Sequence, residues 1–389
     1  MTRYISILLM TCTFTIFAQD ISLLNQLNGP YDFTIIGNTL NPFENESAIS
    51  CSINTSSSAN LSLDTNDVIE KAYLYWAGSG DGDTIITLNN QTIIAERNFT
   101  NNFFSISFFA CFAYITSIIQ TQANGTYTVS DLDLNPIISN YCSNGTNFGG
   151  WAIVIIFKNE DLLLNQINIY DGLESVYQQN PELNISISNL NVVDNTNAKI
   201  GFLAWEGDAA LAVNETLQIN GNIISNPSLN PPTNVFNGTN SFTNATDLYN
   251  MDLDFYNIEN FIQIGDTQAD ITLTSGQDFV MVNTIVTKLN SQLPDATITV
   301  NQVAQQNCLE QILAINFKVF NESGTGILPI NTPISLYVND VYTTTYFTNL
   351  ALEIGGSLTF NEVVNENFNP SEIINIRLQE MMTEQAMQL

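Results

Sequence analysis

The chain has 389 residues, of which 44% are hydrophobic, and 38 acidic against 8 basic residues give it a formal net charge of −30. Nucleic acid and anionic membranes are excluded as partners, because both require clustered Lys and Arg side chains. The sequence contains no histidine, which excludes Ser-His-Asp and Cys-His catalysis and His-ligated zinc sites. Cations and neutral ligands such as glycans remain compatible with this composition.

Residues 1–18 have the pattern of a secretory signal peptide. Arg3 gives a positive start, an apolar run extends from Ile5 to Phe17, and Ala18 provides a small residue for cleavage. This run is too short to span a membrane, and no later stretch reaches about 18 consecutive apolar residues. We therefore predict a secreted or cell-surface protein whose mature chain has no transmembrane segment.

Strand patterns dominate residues 25–300. Lys71–Trp76, Gly125–Val129 and Leu183–Ile187 are short β-type segments, divided by turns rich in Gly, Asn, Asp and Pro. Gly149–Phe157 is apolar on both faces of the predicted strand, which indicates a position in the centre of a sheet. Ala110–Ile119 is compatible with a helix or a strand, because a short apolar run does not distinguish them. We predict one jelly-roll-like β-sandwich over residues 25–300.

A second series of strand patterns occupies residues 301–378. It contains about seven short strands, the size of a small immunoglobulin-like β-sandwich. Residues 379–389 break the β pattern and are predicted to be a tail, with a truncated end as one interpretation. The predicted fold class is all-β, with two β-sandwich domains in series.

Four cysteines follow the predicted cleavage site, namely Cys51, Cys111, Cys142 and Cys308. An oxidising exterior permits disulfides, and four cysteines allow three connectivities. We favour a pair between Cys111 and Cys142, because both can lie on neighbouring strands whereas Cys308 belongs to the second predicted domain.

Five segments carry a family resemblance, and they are Ala72–Gly78, Asn124–Val129, Gly149–Phe157, Ile169–Leu173 and Glu206–Asp208. Their order and spacing resemble the N-terminal β-sandwich of exported, adhesin-like surface proteins of gliding Bacteroidetes. These proteins are cargo of the type IX secretion system and are associated with gliding motility.

The stretch from Cys308 to Leu378 is similar to the cell-adhesion-related immunoglobulin-like module that follows this sandwich in the family. Family members usually continue into further modules and a C-terminal sorting domain, a pattern from which this sequence departs. The resemblance implies adhesion or surface display, and it implies no catalytic residues.

Acidic residues at predicted strand ends are the main candidates for a binding site. Asp171, Glu206 and Asp208 follow predicted strands, and Asp252 and Asp254 can join them. Converging carboxylates repel one another unless a cation or protons neutralise them. This pattern predicts calcium as a cofactor; the alternatives are solvated loop ends and a glycosidase pair of Glu206 with Asp208.

Two further groups have two interpretations each. Asp81 and Asp83 lie in an acidic Gly-rich turn, which can bind calcium or simply form a hairpin. Trp76, Trp151 and Trp205 can form a sugar-stacking platform, but their apolar strands favour core packing.

The sequence as a whole predicts a non-catalytic exported protein that acts in adhesion or surface display. Surface glycans or other cell-surface proteins are the expected partners. Two alternatives remain open at this point: a carbohydrate-binding or carbohydrate-processing module, and a structural spacer.

Overall fold

The computed structural model describes residues 20–45, 51–291, 294, 296–307, 312–322, 326–365 and 375–380. Its strands pair antiparallel in several sheets, which confirms the predicted all-β fold. The two helices of these ranges have 7 and 8 residues. Within the described chain, no helix is long and apolar enough to cross a membrane.

A first strand, β1 (Ser22–Gly29), is followed by a unit of two facing sheets that we call the first roll. The elements of the first roll are β2 (Tyr31–Thr39), β3 (Ser56–Leu61), β4 (Val68–Ser79), β5 (Ile85–Leu88), β6 (Gln91–Ile94), β7 (Arg97–Phe103), β8 (Ile106–Tyr114), α1 (Thr116–Gln122), β9 (Gly125–Ser130), α2 (Asn135–Cys142) and β10 (Gly149–Lys158). The order is β2-β10-β4-β8-β7 in the inner sheet and β3-β9-β5-β6 in the outer sheet.

A second unit of two facing sheets follows, which we call the second roll. Its strands are β11 (Asn165–Val176), β12 (Glu182–Ser188), β13 (Asp194–Trp205), β14 (Thr216–Ile219), β15 (Asn222–Ile224), β16 (Met251–Asn257), β17 (Gln268–Thr274) and β18 (Val280–Asn290). The inner sheet has the order β1-β11-β18-β13-β16, and the outer sheet has the order β12-β17-β14-β15.

The two rolls have the same strand order. When the eight strands common to both are numbered along the chain, each inner sheet reads 1-8-3-6 and each outer sheet 2-7-4-5. Strands β1 and β7 are additions at the edges of the inner sheets. Eight strands in two such sheets form a jelly roll. Where the sequence predicts one jelly-roll-like sandwich, the structure therefore has two.

The two inner sheets pack against each other, so that four sheets enclose three layers of buried side chains. Val154 of β10 shares a buried cluster with Leu203 and Val286 of the second roll, whereas its neighbours Ile153 and Ile155 pack inside the first roll. Successive side chains of a strand point to opposite faces, so both faces of β10 are buried. This position explains its unbroken apolar run and confirms the predicted central strand.

Two groups of charged side chains join the inner sheets of the rolls. Asp32 of β2 pairs with Lys199 of β13 at 2.6 Å and with Lys288 of β18 at 2.8 Å. In the other group, Arg97 of β7 pairs with Asp171 of β11. Three of the eight basic residues thus form ion pairs that join the two rolls.

We expect Asp32→Asn to destabilise the protein by about 2 kcal/mol near pH 7, because two half-buried lysines lose their anion. Burial raises the pKa of Asp32, but Lys199 and Lys288 outweigh burial and hold that pKa below 3.8. A carboxyl with a lowered folded pKa stabilises the protein above its unfolded pKa, and this stabilisation is lost as pH falls through the folded pKa. Urea unfolding should therefore show the difference shrinking below about pH 4.

The control for this experiment is Glu160→Gln, since Glu160 pairs with Lys158 at the surface and its side chain is 79% exposed. The unfolding curve of Glu160→Gln should match that of the unaltered protein both near pH 7 and below about pH 4. An Asp32→Asn difference of constant size from neutral to acidic pH would contradict the role of the two lysines.

The remaining strands form a separate sandwich. They are β19 (Thr297–Asn307), β20 (Ile312–Phe320), β21 (Pro333–Val338), β22 (Val341–Phe347), β23 (Ser357–Asn365) and β24 (Ile376–Glu380). Sheets β19-β20-β23 and β22-β21-β24 enclose their own core. The described residues of this sandwich hold six strands where the sequence predicts about seven; the predicted strand Leu352–Ile354 is reduced to a bridge at Leu352, and the immunoglobulin-like topology stays a prediction.

Several predicted boundaries can be compared with the strands. The predicted boundary at residue 301 falls inside β19, whose pairing with β20 assigns the whole strand to the last sandwich. In the ambiguous segment Ala110–Ile119, β8 ends at Tyr114 and α1 begins at Thr116, so it holds both a strand and a helix. The predicted signal peptide, Cys308 and residues 381–389 lie outside the described residues.

Candidate functional site

Six buried carboxyl side chains gather at one end of the second roll. Antiparallel pairing of β13 with β16 and β18 brings the end of β13 to the start of the other two strands, at Trp205, Met251 and Met281. The carboxyl groups lie in and beside these strand ends and are at most 7% exposed. We call this set the acidic cluster, and its members are Glu206, Asp208, Glu215, Asp252, Asp254 and Asp278.

Burial dominates the electrostatics of the acidic cluster. It raises the pKa of Glu206, Glu215 and Asp252 well above the usual values, and the neighbouring carboxylates Asp208, Asp278 and Asp254, respectively, add to this effect. Burial also raises the pKa of Asp254 and of Asp278 to about 7. The ion pairs of the described Lys and Arg side chains are with other carboxylates.

The loop between β15 and β16 supplies hydrogen bonds to two cluster members. The backbone N–H groups of Asn237 and Thr239 both donate to Asp252 Oδ1 at 3.0 Å. Asn230 Nδ2 donates to Asp254 Oδ2 at 2.8 Å. Asp252 and Asp254 are two apart on β16, so their side chains share one face of the strand. These two carboxyl groups therefore anchor the loop to the inner sheet.

Glu206 and Asp208 are held in the interior by amide groups. Asn45 Nδ2 donates to Glu206 Oε1 at 2.8 Å, and Asn250 Nδ2 donates to Asp208 Oδ1 at 2.7 Å. The backbone N–H of Asp208 donates to Asp278 Oδ2 at 2.9 Å. Glu206 has φ 76°, a left-handed conformation that is strained for a residue other than glycine. Glu206, Asp208, Asp252 and Asp254 thus lie near the same strand ends, but they form two pairs with separate hydrogen-bond partners and not one converged group.

Asp171 does not belong to the acidic cluster, although the sequence groups it with Glu206 and Asp208. Its carboxylate pairs with Arg97, and Tyr75 Oη donates to Asp171 Oδ2 at 3.0 Å. Asp171 is 3% exposed and lies between the inner sheets of the two rolls. A guanidinium therefore neutralises this carboxylate, in place of the predicted calcium ion.

Asp81 and Asp83 lie in the turn after β4. The turn is not the predicted hairpin, because β4 and β5 belong to different sheets and it carries the chain from the inner to the outer sheet; Gly80 and Gly82 adopt φ +113° and +121° there. Asp83 Oδ1 accepts from the backbone N–H of Ile85 at 3.2 Å.

Over the whole described part of the chain, no three Asp, Glu, Cys or His side chains come together as a metal-binding group.

The disulfide differs from the predicted pair. Cys142 is bonded to Cys51, with a Cα–Cα distance of 5.7 Å, whereas Cys111 is a free and buried thiol. Cys111 lies on β8 and points into the core of the first roll, while Cys142 ends helix α2. Burial, with a smaller effect from Asp83, raises the pKa of the Cys111 thiol to about 12.

The three tryptophans are fully buried, which confirms core packing rather than a sugar platform. Each indole N–H has an acceptor: Trp76 bonds to the Asp83 carbonyl, Trp151 to Ser57 and Trp205 to Asn283.

Sequence reasoning missed Glu215 and Asp278. Each stands next to a turn, where an acidic residue usually indicates a solvated surface. The available signal was the apolar segment after each residue, at Leu217–Ile219 and at Phe279–Val282, since a carboxyl beside a buried strand start can be drawn into the interior.

No known protein family matches the chain, and no curated protein matches it. Among solved structures, the chain is similar to a β-glucuronidase of Bacteroides uniformis, with 13% identity, 56% of this chain covered, 24% of that chain covered and a TM-score of 0.15. The glycoside hydrolase domain of Endo-D from Streptococcus pneumoniae R6 gives 11% identity, coverages of 50% and 33%, and a TM-score of 0.16.

The major capsid protein P2 of bacteriophage PM2 gives 11% identity, with 66% of this chain and 96% of that chain covered and a TM-score of 0.19. The chain thus spans about a quarter of the length of the β-glucuronidase, at 24%. At these TM-scores the similarities carry no argument about function.

Proposed function

We propose that this protein is exported and acts, without catalysis, in adhesion or surface display. The burial of the acidic cluster is the observation that supports a non-catalytic role. A glycosidase needs two carboxyl groups on either side of a bound sugar, about 5–10 Å apart. Glu206 and Asp208 are 1% and 7% exposed, so neither can contact a sugar from solvent.

The disulfide between Cys51 and Cys142 supports the exported location. Disulfides persist in oxidising compartments and are rare where thiols are kept reduced. The strong negative charge is compatible with a protein that stays in solution or on a surface without aggregating.

Carbohydrate binding is the second candidate, and a groove on the outer sheet of the first roll favours it. The groove is lined by amide and hydroxyl side chains, without a charged one, and these are Asn89, Asn90, Gln122, Thr126, Thr128 and Ser130. Such groups donate and accept neutral hydrogen bonds, which suits the hydroxyl groups of a glycan. Surface glycans are therefore the partner class that we propose for adhesion.

The proposal is tested by exposing the purified protein to a panel of polysaccharides and by labelling intact cells that express it. We expect surface labelling and retention on one or more glycans, without release of reducing sugar. Hydrolysis of any glycan would overturn the non-catalytic proposal, and labelling only after cell lysis would overturn the exported location.

We expect the double replacement Gln122→Ala and Ser130→Ala to weaken glycan retention by about thirtyfold, because two neutral hydrogen bonds of about 1 kcal/mol each are lost. The comparison is Ser186→Ala, an exposed hydroxyl on the outer sheet of the second roll. Affinity chromatography on the retained polysaccharide measures both variants. Equal retention of the two variants would place glycan binding outside the groove.

A further inference from the structure

Several buried oxygen atoms beside the acidic cluster have no hydrogen-bond partner. Four of them are Glu215 Oε2, Asp252 Oδ2, Asn234 Oδ1 and the Tyr256 hydroxyl. The Glu215 carboxyl lies within hydrogen-bond reach of the Asp278 carboxyl, so these two acids share a proton when no cation is bound. The four residues are at most 3% exposed, so solvent does not hydrate these atoms freely. An unsatisfied buried polar atom is costly, and several in one place indicate a ligand that bonds to them.

The carboxyl groups of Glu215 and Asp252 accept hydrogen bonds from two successive residues of the loop between β15 and β16. The N–H of Phe236 donates to Glu215 Oε1 at 2.7 Å, and the next N–H, of Asn237, donates to Asp252 Oδ1 at 3.0 Å. A methyl group at Gly207 would lie 2.4 Å from the Phe236 carbonyl oxygen and 2.7 Å from Asp252 Oδ2. The Phe236 carbonyl oxygen and the unpartnered oxygen of Asp252 therefore both lie on the Cβ side of Gly207.

The other two atoms belong to the same region. Asn234 pairs with Glu215 through a backbone bridge, and its Nδ2 donates to the Ala209 carbonyl at 3.0 Å, which leaves Oδ1 for another partner. Asp252, Asp254 and Tyr256 alternate along β16, so the Tyr256 side chain lies on the same face of the strand as the two carboxyl groups.

A cation is the ligand that this chemistry favours. The available atoms are all oxygens, two of them on carboxylates, and oxygen ligands of this kind suit calcium. The described Lys and Arg side chains form their ion pairs elsewhere, so none of those pairs neutralises Glu215 or Asp252. Magnesium fits less well, because it requires near-ideal octahedral geometry and retains several waters.

We propose that Glu215 and Asp252 bind one calcium ion through Oε2 and Oδ2. The Phe236 carbonyl oxygen and Asn234 Oδ1 provide neutral ligands, and water completes the coordination shell. The ion ties the loop between β15 and β16 to the start of β14. This two-carboxylate site differs from the predicted set, which contained Asp171.

The first test compares the thermal unfolding of the protein in calcium, in magnesium at equal ionic strength, and in EDTA. We expect a calcium-specific rise of about 5 °C or more in the midpoint, because an ion that binds only the folded state stabilises it. Calorimetric titration of the EDTA-treated protein should show one calcium per chain. Identical midpoints in the three solutions would overturn the proposal.

The second test uses Glu215→Gln and Asp252→Asn, with Asp270→Asn as the matched control on an exposed carboxylate of the same roll. Each amide keeps an oxygen for its existing backbone hydrogen bond, so both variants should fold in EDTA. Calcium affinity should fall about a hundredfold in each variant, since one of two charged ligands is lost, and stay unchanged in Asp270→Asn. Unaltered calcium affinity in both site variants would overturn the proposal.

Protonated carboxyl groups would produce a different result, in which Asp252→Asn leaves stability unchanged or raises it and calcium has no effect on either protein. That outcome also overturns the calcium proposal. Neither test depends on glycan retention or on surface labelling, so failure here leaves the proposed function standing.

Discussion

Removing the disulfide by the double replacement Cys51→Ala and Cys142→Ala should lower the free energy of unfolding by about 4.5 kcal/mol. The bonded cysteines are 91 residues apart, and a loop of that length loses much conformational entropy in the unfolded state when it is closed. Guanidinium unfolding without reductant measures the difference. Treating the unaltered protein with reductant before unfolding should reproduce it.

Cys111→Ala is the control for the disulfide, because Cys111 is a buried free thiol. Its removal should cost only about 1 kcal/mol for a small cavity. Peptide mapping under non-reducing conditions should recover Cys51 joined to Cys142. Recovery of Cys111 joined to Cys142 instead would contradict the structure.

Arg97→Ala should destabilise the protein by about 3 kcal/mol, because it leaves the carboxylate of Asp171 buried without a partner. We place the value at the low end for buried pairs, since the Arg97 side chain is 37% exposed whereas that of Asp171 is 3% exposed. Arg97 also lies over the ring of Phe112, 4.1 Å from its centroid, so some packing is lost as well. Urea unfolding measures the change.

The double variant Arg97→Met with Asp171→Leu separates the charge effect from packing. Replacing both partners of a buried ion pair by apolar residues is often close to neutral, so the double variant should recover much of the lost stability. Arg377→Ala is the surface comparison: its pair with Asp340 is 3.5 Å long and mostly exposed, and its loss should have little effect. An Arg97→Ala protein as stable as Arg377→Ala would contradict the role of Asp171.

Local patterns in the sequence were enough for the fold class and for many strands. The alternation Leu183-Asn-Ile-Ser-Ile187 belongs to an outer sheet that has one solvent-exposed face. The unbroken apolar run of β10 belongs to an inner sheet whose two faces are both buried. The duplication was not predictable in this way. The two rolls share a strand order, which depends on pairings between distant segments and leaves no repeated sequence pattern.

The candidate site was predictable only in part, for a related reason. Asp252 and Asp254 alternate with apolar residues on β16, so the sequence could indicate that they share a face. Asp171 has similar neighbours, but its partner Arg97 comes from another roll, and no local pattern indicates that contact. Whether an acidic residue meets a cation, a proton or a guanidinium is decided by tertiary packing.

Strand β1 pairs with β11, although β2 follows it in the chain after a single residue, Pro30. As the chain is synthesised, β1 emerges first and its partner appears only after the whole first roll has been made. Contacts between such distant segments form slowly, and an unpaired strand edge invites association with other chains in the meantime. The first roll contains all of its own strands, whereas the second completes its inner sheet only when the beginning of the chain returns to it. Two units with one topology therefore mature at different times.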